Sequence, residues 1–272
     1  MKKLILLFSI LLGTGTAFAQ YMTPLSIKLD KFNVLDSASL KFTYRFTYMR
    51  DSLKPNTTYA DMHTLLIGRK ISKYFSQNNE DYCIHVMKIG KYETNTDGTC
   101  GFEIFKNYPE KKMTVTDSGC SFLMGGDFLY EEDMPNLKWE IKSDTLTFLS
   151  YSCQKAITTF RGRIYEAWFT FDIPSNNGPW KFGGLPGLIL KINDTKHNFV
   201  FECVGMEQLK ELNPIKFYNL KYSTLSRKNL MNLYRRLFDD PDAFFKSVHS
   251  EMCGQYDPKD LPKLPYNPME LK

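Results

Sequence analysis

Leu40 to Arg50 reads LKFTYRFTYMR, with Phe42, Tyr44, Phe46 and Tyr48 on one side of the chain and Thr43, Arg45 and Thr47 on the other. A period of two with one apolar face is the pattern of a half-buried β-strand. Similar segments follow at Thr58 to Ile67, Lys70 to Phe75, Gly101 to Asn107, Met113 to Thr116 and Phe122 to Tyr130. The centre is denser, with Asp144 to Ser150, Cys153 to Phe160, Arg163 to Asp172, Leu188 to Asn193 and Asn198 to Gly205. Gly68-Arg69 and Arg161-Gly162 suit tight turns. Connections this short leave no room for parallel crossovers, so the strands form a mostly antiparallel meander.

Residues 77–98 are polar and fit either a short helix or a long loop. Helical spacing appears only near the end. From Ser226 to Phe238, Leu230, Leu233, Tyr234, Leu237 and Phe238 share a face, with Ser226 as N-cap. Pro241 to Val248 restarts a helix behind Asp240. Residues 257–272 carry Pro258, Pro262, Pro265 and Pro268 and read as an extended tail.

Composition narrows the function classes. The chain has 272 residues, 43% hydrophobic and 15% aromatic, enough for one sizeable core. Its formal charge of +5 is spread among alternating acids and bases, unlike the concentrated basic face of a nucleic-acid binder. Lys2-Lys3, the apolar run Leu4 to Leu12 and Ala17-Phe18-Ala19 form a secretory signal peptide over residues 1–19, cleaved after Ala19. The run is too short to span a membrane. The expected organisation is an exported protein with one β-rich domain over residues 20–256, followed by the tail, in the periplasm or on the cell surface.

Six cysteines, Cys83, Cys100, Cys120, Cys153, Cys203 and Cys253, enter that oxidising compartment. No C-x-x-C spacing points to a redox centre or a zinc ribbon. Cys153 and Cys203 sit on strands separated by two others, and sheet curvature leads us to expect a Cys153–Cys203 disulfide. His63, His85, His197 and His249 lack close ligand spacing, so no metal site is expected. Glu131-Glu132-Asp133 reads as a solvated loop before Pro135. No nucleophile elbow, zinc-helix motif or phosphate loop is present, and no cofactor is expected.

The most unusual stretch is Pro179 to Leu190, PWKFGGLPGLIL. Gly183 and Gly184 permit positive φ or close backbone approach. Leu185 then leads into Pro186-Gly187, which suits the central positions of a type II turn, with Gly187 at positive φ. On Gly184 to Ile189 the chain resembles the GLPGLI family of exported Bacteroidota proteins. The likeness extends to Tyr151 to Ala156, Phe160 to Arg163, Ala167-Trp168-Phe169, Gly178-Pro179-Trp180 and the closing Tyr266 to Leu271. The family brings no established activity. It also resembles the bowl-shaped N-terminal module, distinct from the catalytic domain, of a secreted bacterial peptide N-glycanase.

The expected fold is therefore mainly β: a single curved, half-open antiparallel sheet, bowl-like, with one or two C-terminal helices. Arg161 and Arg163 beside Trp168 and Trp180 suit an acidic, glycan or peptide ligand; the alternative is a charged hairpin turn with tryptophans in the core. The functional expectation is a non-enzymatic envelope module that binds an extended peptide, glycan or lipid-like ligand or docks on another envelope component. The alternative is a hydrolase or transferase using Cys153 as nucleophile.

Overall fold

The computed structural model describes residues 29–54, 56–89, 101–118, 124–248 and 266–272. Residues 1–19, where a signal peptide is expected, Cys100, Cys120, Cys253 and the first part of the tail lie outside them. Twelve strands form one open sheet: β1 (Phe32–Tyr48), β2 (Tyr59–Ile67), β3 (Ile71–Ser76), β4 (Phe102–Asn107), β5 (Lys112–Asp117), β6 (Asp127–Asp133), β7 (Glu140–Phe148), β8 (Tyr151–Phe160), β9 (Arg163–Thr170), β10 (Leu188–Asp194), β11 (Phe199–Tyr218) and β12 (Tyr222–Thr224). Their order in space is β12-β6-β5-β4-β3-β2-β1-β11-β10-β9-β8-β7. Every pairing is antiparallel except β12 with β6, which makes the sheet mixed.

Local chemistry sets the turns. Leu149 (φ 50°) and Ser150 (φ 66°) join β7 to β8, and Arg161 (φ 47°) and Gly162 (φ 91°) join β8 to β9. Two successive positive φ values give the turn whose twist matches that of the flanking strands. The ambiguous polar stretch contains α1 (Gln77–Ile89), of which only Cys83 and Val86 are buried. After the sheet come α2 (Arg227–Asp239) and α3 (Pro241–Val248). Ser226 Oγ accepts from Asn229 N at 3.2 Å, and Asp240 Oδ1 accepts from Ala243 N at 3.1 Å, so both helices start on the caps the sequence supplies.

The sheet is strongly curled. β6 and β9 are eight strand steps apart in the order, ~38 Å across a flat sheet. Yet Glu132 of β6 lies 2.5 Å from Arg161 in the β8–β9 turn. The alternating face of β1 lines the resulting concavity: Phe42, Tyr44 and Phe46 are buried, and Phe46 stacks on Phe201 with centroids 4.4 Å apart. The Tyr44 hydroxyl donates to Ile189 O at 2.7 Å, tying β1 to β10.

Three expectations are corrected. Glu131-Glu132-Asp133 is not a loop but the end of β6, and Glu132 turns inward while its neighbours face solvent. Cys153 and Cys203 are not joined: both are free, buried thiols. They lie on β8 and β11, three strand steps apart, ~14 Å across the sheet, beyond disulfide reach. Finally, Gly187 is not at positive φ; in the signature loop, Pro179 to Leu190, the left-handed residues are Trp180, at φ 48°, and Gly184, at φ 85°. Gly187 is needed for closeness instead, because a Cβ there would fall 1.9 Å from Thr170 O.

The two glycines therefore respond differently to a methyl group. Gly184→Ala, whose Cβ would meet nothing nearer than Trp139 Nε1 at 3.9 Å, costs about 1 kcal/mol of backbone strain. Gly187→Ala collides with backbone and costs about 3 kcal/mol. Urea denaturation of the pair checks the order, and equal stabilities would refute it.

Candidate functional site

The concave face is closed over by three segments: the loop between β9 and β10, helix α2, and the tail residues 266–270. Between them and the sheet lies a cavity of about 230 Å³. Its walls are mostly apolar: Phe46, Phe102, Ile104 and Val115 from the sheet, Leu230 and Met231 from α2, Trp180 from the loop and Met269 from the tail.

Polar groups at one end of the cavity form a buried ion cluster. Lys181 Nζ reaches Glu270 Oε1 at 2.5 Å and Glu132 Oε1 at 2.7 Å, and donates to the Tyr130 hydroxyl at 2.9 Å. Arg161 pairs with Glu132 at 2.5 Å and Glu270 at 2.6 Å, and Arg227 at the start of α2 reaches Glu270 at 2.7 Å. Burial alone would raise the Glu270 carboxyl, but Lys181 and Arg161 outweigh it and hold it below the usual carboxylate range. Burial lowers the Lys181 amine by more than Glu270 and Glu132 raise it.

A second lysine holds the loop from the opposite side. Lys106, on β4 and only 1% exposed, donates to Asn177 Oδ1 at 3.0 Å, Gly178 O at 2.9 Å and Phe182 O at 2.7 Å. All three ammonium donors go to neutral acceptors, and burial pushes the amine down to about 7. Trp139 Nε1 adds a bond to Gly183 O at 2.9 Å.

Of the four residues read as candidate ligand contacts, three come together here, but each faces the protein itself. Arg161 is held in the ion cluster. Arg163 pairs with Asp194 at 3.2 Å and donates to Pro268 O and Asn267 Oδ1. Trp180 is 4% exposed, at φ 48°, with its ring against Phe160 and Phe182. Trp168 is apart from them, half-buried, with Lys155 Nζ 5.9 Å from its ring centroid. Cys153 is 1% exposed, its Sγ faces Tyr151 O at 3.6 Å, and burial raises its thiol above the usual range. His63 is a buried core histidine bonded to Asp61 at 2.9 Å. Among the described residues, no group of three or more His, Cys, Asp or Glu side chains is placed to hold a metal.

Lys106, Lys181, Glu132, Arg227 and Glu270 went unrecognised in the sequence. Their only local signal is a charge set among apolar neighbours, as in Trp180-Lys181-Phe182. Partners 29 or more residues away decide what those charges do.

A family profile described as a protein of unknown function (Porph_ging) matches residues 161–191, from the β8–β9 turn into β10. Among solved structures, PNGF-II in its P21 crystal form aligns over 72% of this chain and 32% of its own, with 16% identity and a TM-score of 0.49. The C2 form gives 71%, 31%, 16% and 0.47. An uncharacterized conserved protein from Thermus thermophilus aligns over 69% of this chain and 90% of its own, with 8% identity and a TM-score of 0.35. The chain thus spans about a third of the length of PNGF-II. No curated protein matches it.

Two measurements probe the site. Trp180→Ala removes a buried wall and costs about 3–5 kcal/mol in urea denaturation; a thermally silent variant would contradict its placement. For Lys106 the folded amine titrates near 7 while an unfolded lysine titrates near 10.5. Between those values the unfolded chain holds a proton that the folded chain lacks. Stability contributed by this group therefore rises with pH from about 7 to 10 and is flat below. Lys106→Met removes that rise, read as the difference between variant and wild-type denaturation midpoints across the window.

Proposed function

We propose that the protein is a non-enzymatic binding module of the GLPGLI type, exported to the cell envelope, whose curled sheet holds a small apolar, lipid-like moiety. The apolar cavity beneath α2 and the tail is the observation that carries this reading. Binding pockets combine apolar walls with a few placed polar groups. Here the polar groups at the cavity end are already paired with one another, as in the Lys181–Glu270 contact and the Tyr234 hydroxyl on Asp117 at 2.8 Å. Breaking such pairs for sugar hydroxyls would leave buried charges unmatched, so an apolar ligand fits better than a glycan. The Cys153 alternative has less support, because a buried thiol raised by burial is a poor nucleophile.

Dodecanoic acid and 1-anilinonaphthalene-8-sulfonate serve as probes. Saturable binding to the folded protein is expected. Val115→Phe and Met231→Trp, which fill the cavity from opposite walls, should weaken it by about 10-fold while the fold persists. Absence of saturable binding by either probe, or indifference to both filling variants, would overturn the reading.

A further inference from the structure

The tail is held in a manner that differs from ordinary core packing. Pro268 O accepts from Arg163 Nε at 3.0 Å and Nη2 at 2.6 Å, and Met269 O accepts from the Tyr165 hydroxyl at 3.0 Å. Leu271 N donates to Arg161 O at 2.9 Å. These bonds read the backbone of the tail, which bends at Met269. The Asn267 side chain is read at both ends: its Oδ1 accepts from Arg163 at 2.7 Å and its Nδ2 donates to Met49 O at 2.8 Å. The Glu270 carboxylate is read by Lys181, Arg161 and Arg227. Backbone bonds with one amide and one carboxylate recognised at fixed spacing are the chemistry of a sequence-selective peptide site.

We propose that the cleft between the β8–β9 hairpin, the signature loop and α2 is a peptide-recognition site for an Asn-Pro-x-Glu segment. The chain's own tail fills it in cis, and the tail of a second copy fills it in trans. Two observations favour this occupant. The charge is complementary, since the cations around Glu270 outnumber the carboxylates, Glu132 and Glu270, that they share. The chain between Val248 and Tyr266 has a contour length of up to roughly 60 Å, so the tail is tethered to its own body by a long segment. Because Met269 and Glu270 also form part of the cavity wall, leaving the cleft would open the cavity.

The test uses the full-length chain. Asn267→Ala/Glu270→Ala removes both read-out side chains from the cis tail and so frees the cleft. A fluorescein-labelled heptapeptide of the sequence Tyr266–Lys272 should then bind the variant saturably. It should bind the wild-type chain at least about 10-fold more weakly, because the cis tail competes at high effective concentration. The same peptide carrying Glu270→Gln should bind the variant about 10-fold or more weakly than the wild-type peptide. The wild-type peptide should also raise the variant's melting temperature. If the variant does not fold alone, recovery of its near-ultraviolet circular dichroism on adding the peptide supports the proposal, and no recovery overturns it. A folded variant that ignores the peptide, or that binds the Glu270→Gln peptide equally well, also overturns it. The apolar-probe titration on the wild-type chain reports on the cavity separately, so either idea can fail alone.

Discussion

The architecture depends on a buried contact between two parts of the sheet that a flat sheet would hold far apart. Glu132 on β6 and Arg161 in the β8–β9 turn meet at 2.5 Å only because the intervening strands coil. Twist accumulates in any large sheet, but twist alone does not choose where the curl stops. The cluster of Glu132, Arg161, Lys181, Arg227 and Glu270 sets that point, since each charge is matched only when strand, turn, loop, helix and tail are all in place. Such clusters add little net stability relative to apolar packing. Removing one partner, however, leaves a buried charge behind, at about 3–5 kcal/mol. The result is specificity of closure.

The signature loop is the second half of the same device. Lys106 reaches it from β4, on the far side of the bowl, and binds three of its oxygens. Lys181 projects from it into the ion cluster. The glycines allow this double grip: Gly184 supplies the left-handed turn, and Gly187 lets the chain pass against the carbonyl of Thr170. Pro186 sits between them, where a fixed φ stiffens the approach to β10. The loop thus ties sheet strands that are distant in the order to one another, which accounts for so unusual a composition between two ordinary strands.

What was legible in the sequence follows the range of the interactions involved. Strand alternation in LKFTYRFTYMR, the caps Ser226 and Asp240, and the Arg161-Gly162 turn are local features, and the structure keeps them. Helix α1 was ambiguous because it buries only Cys83 and Val86 and so has almost no apolar stripe to read. Glu132 looked solvated because its flanking residues are; only its inward face in β6 differs. The Cys153–Cys203 expectation failed on lateral spacing, since curvature brings distant strands together across the bowl but does not shorten the path along neighbouring ones. Arg161 and Arg163 stood out as candidate contacts for an acidic, glycan or peptide ligand, and both are engaged by groups of the chain itself. What they recognise is internal, and no local pattern carries that information.

The cavity follows from the same geometry. Concave faces of strongly curled sheets converge, and the β1 aromatics fill the narrow part, Phe46 stacking on Phe201 and standing against His63. Toward the open side a gap remains, with Val115 and Ile104 on its sheet wall and Leu230 and Met231 on its α2 wall. The gap adjoins the ion cluster, and Glu270 belongs to both: its carboxylate is matched by Lys181, Arg161 and Arg227, and it lines the cavity. A segment that withdrew Glu270 would therefore open the cavity and leave those cations unmatched at one stroke.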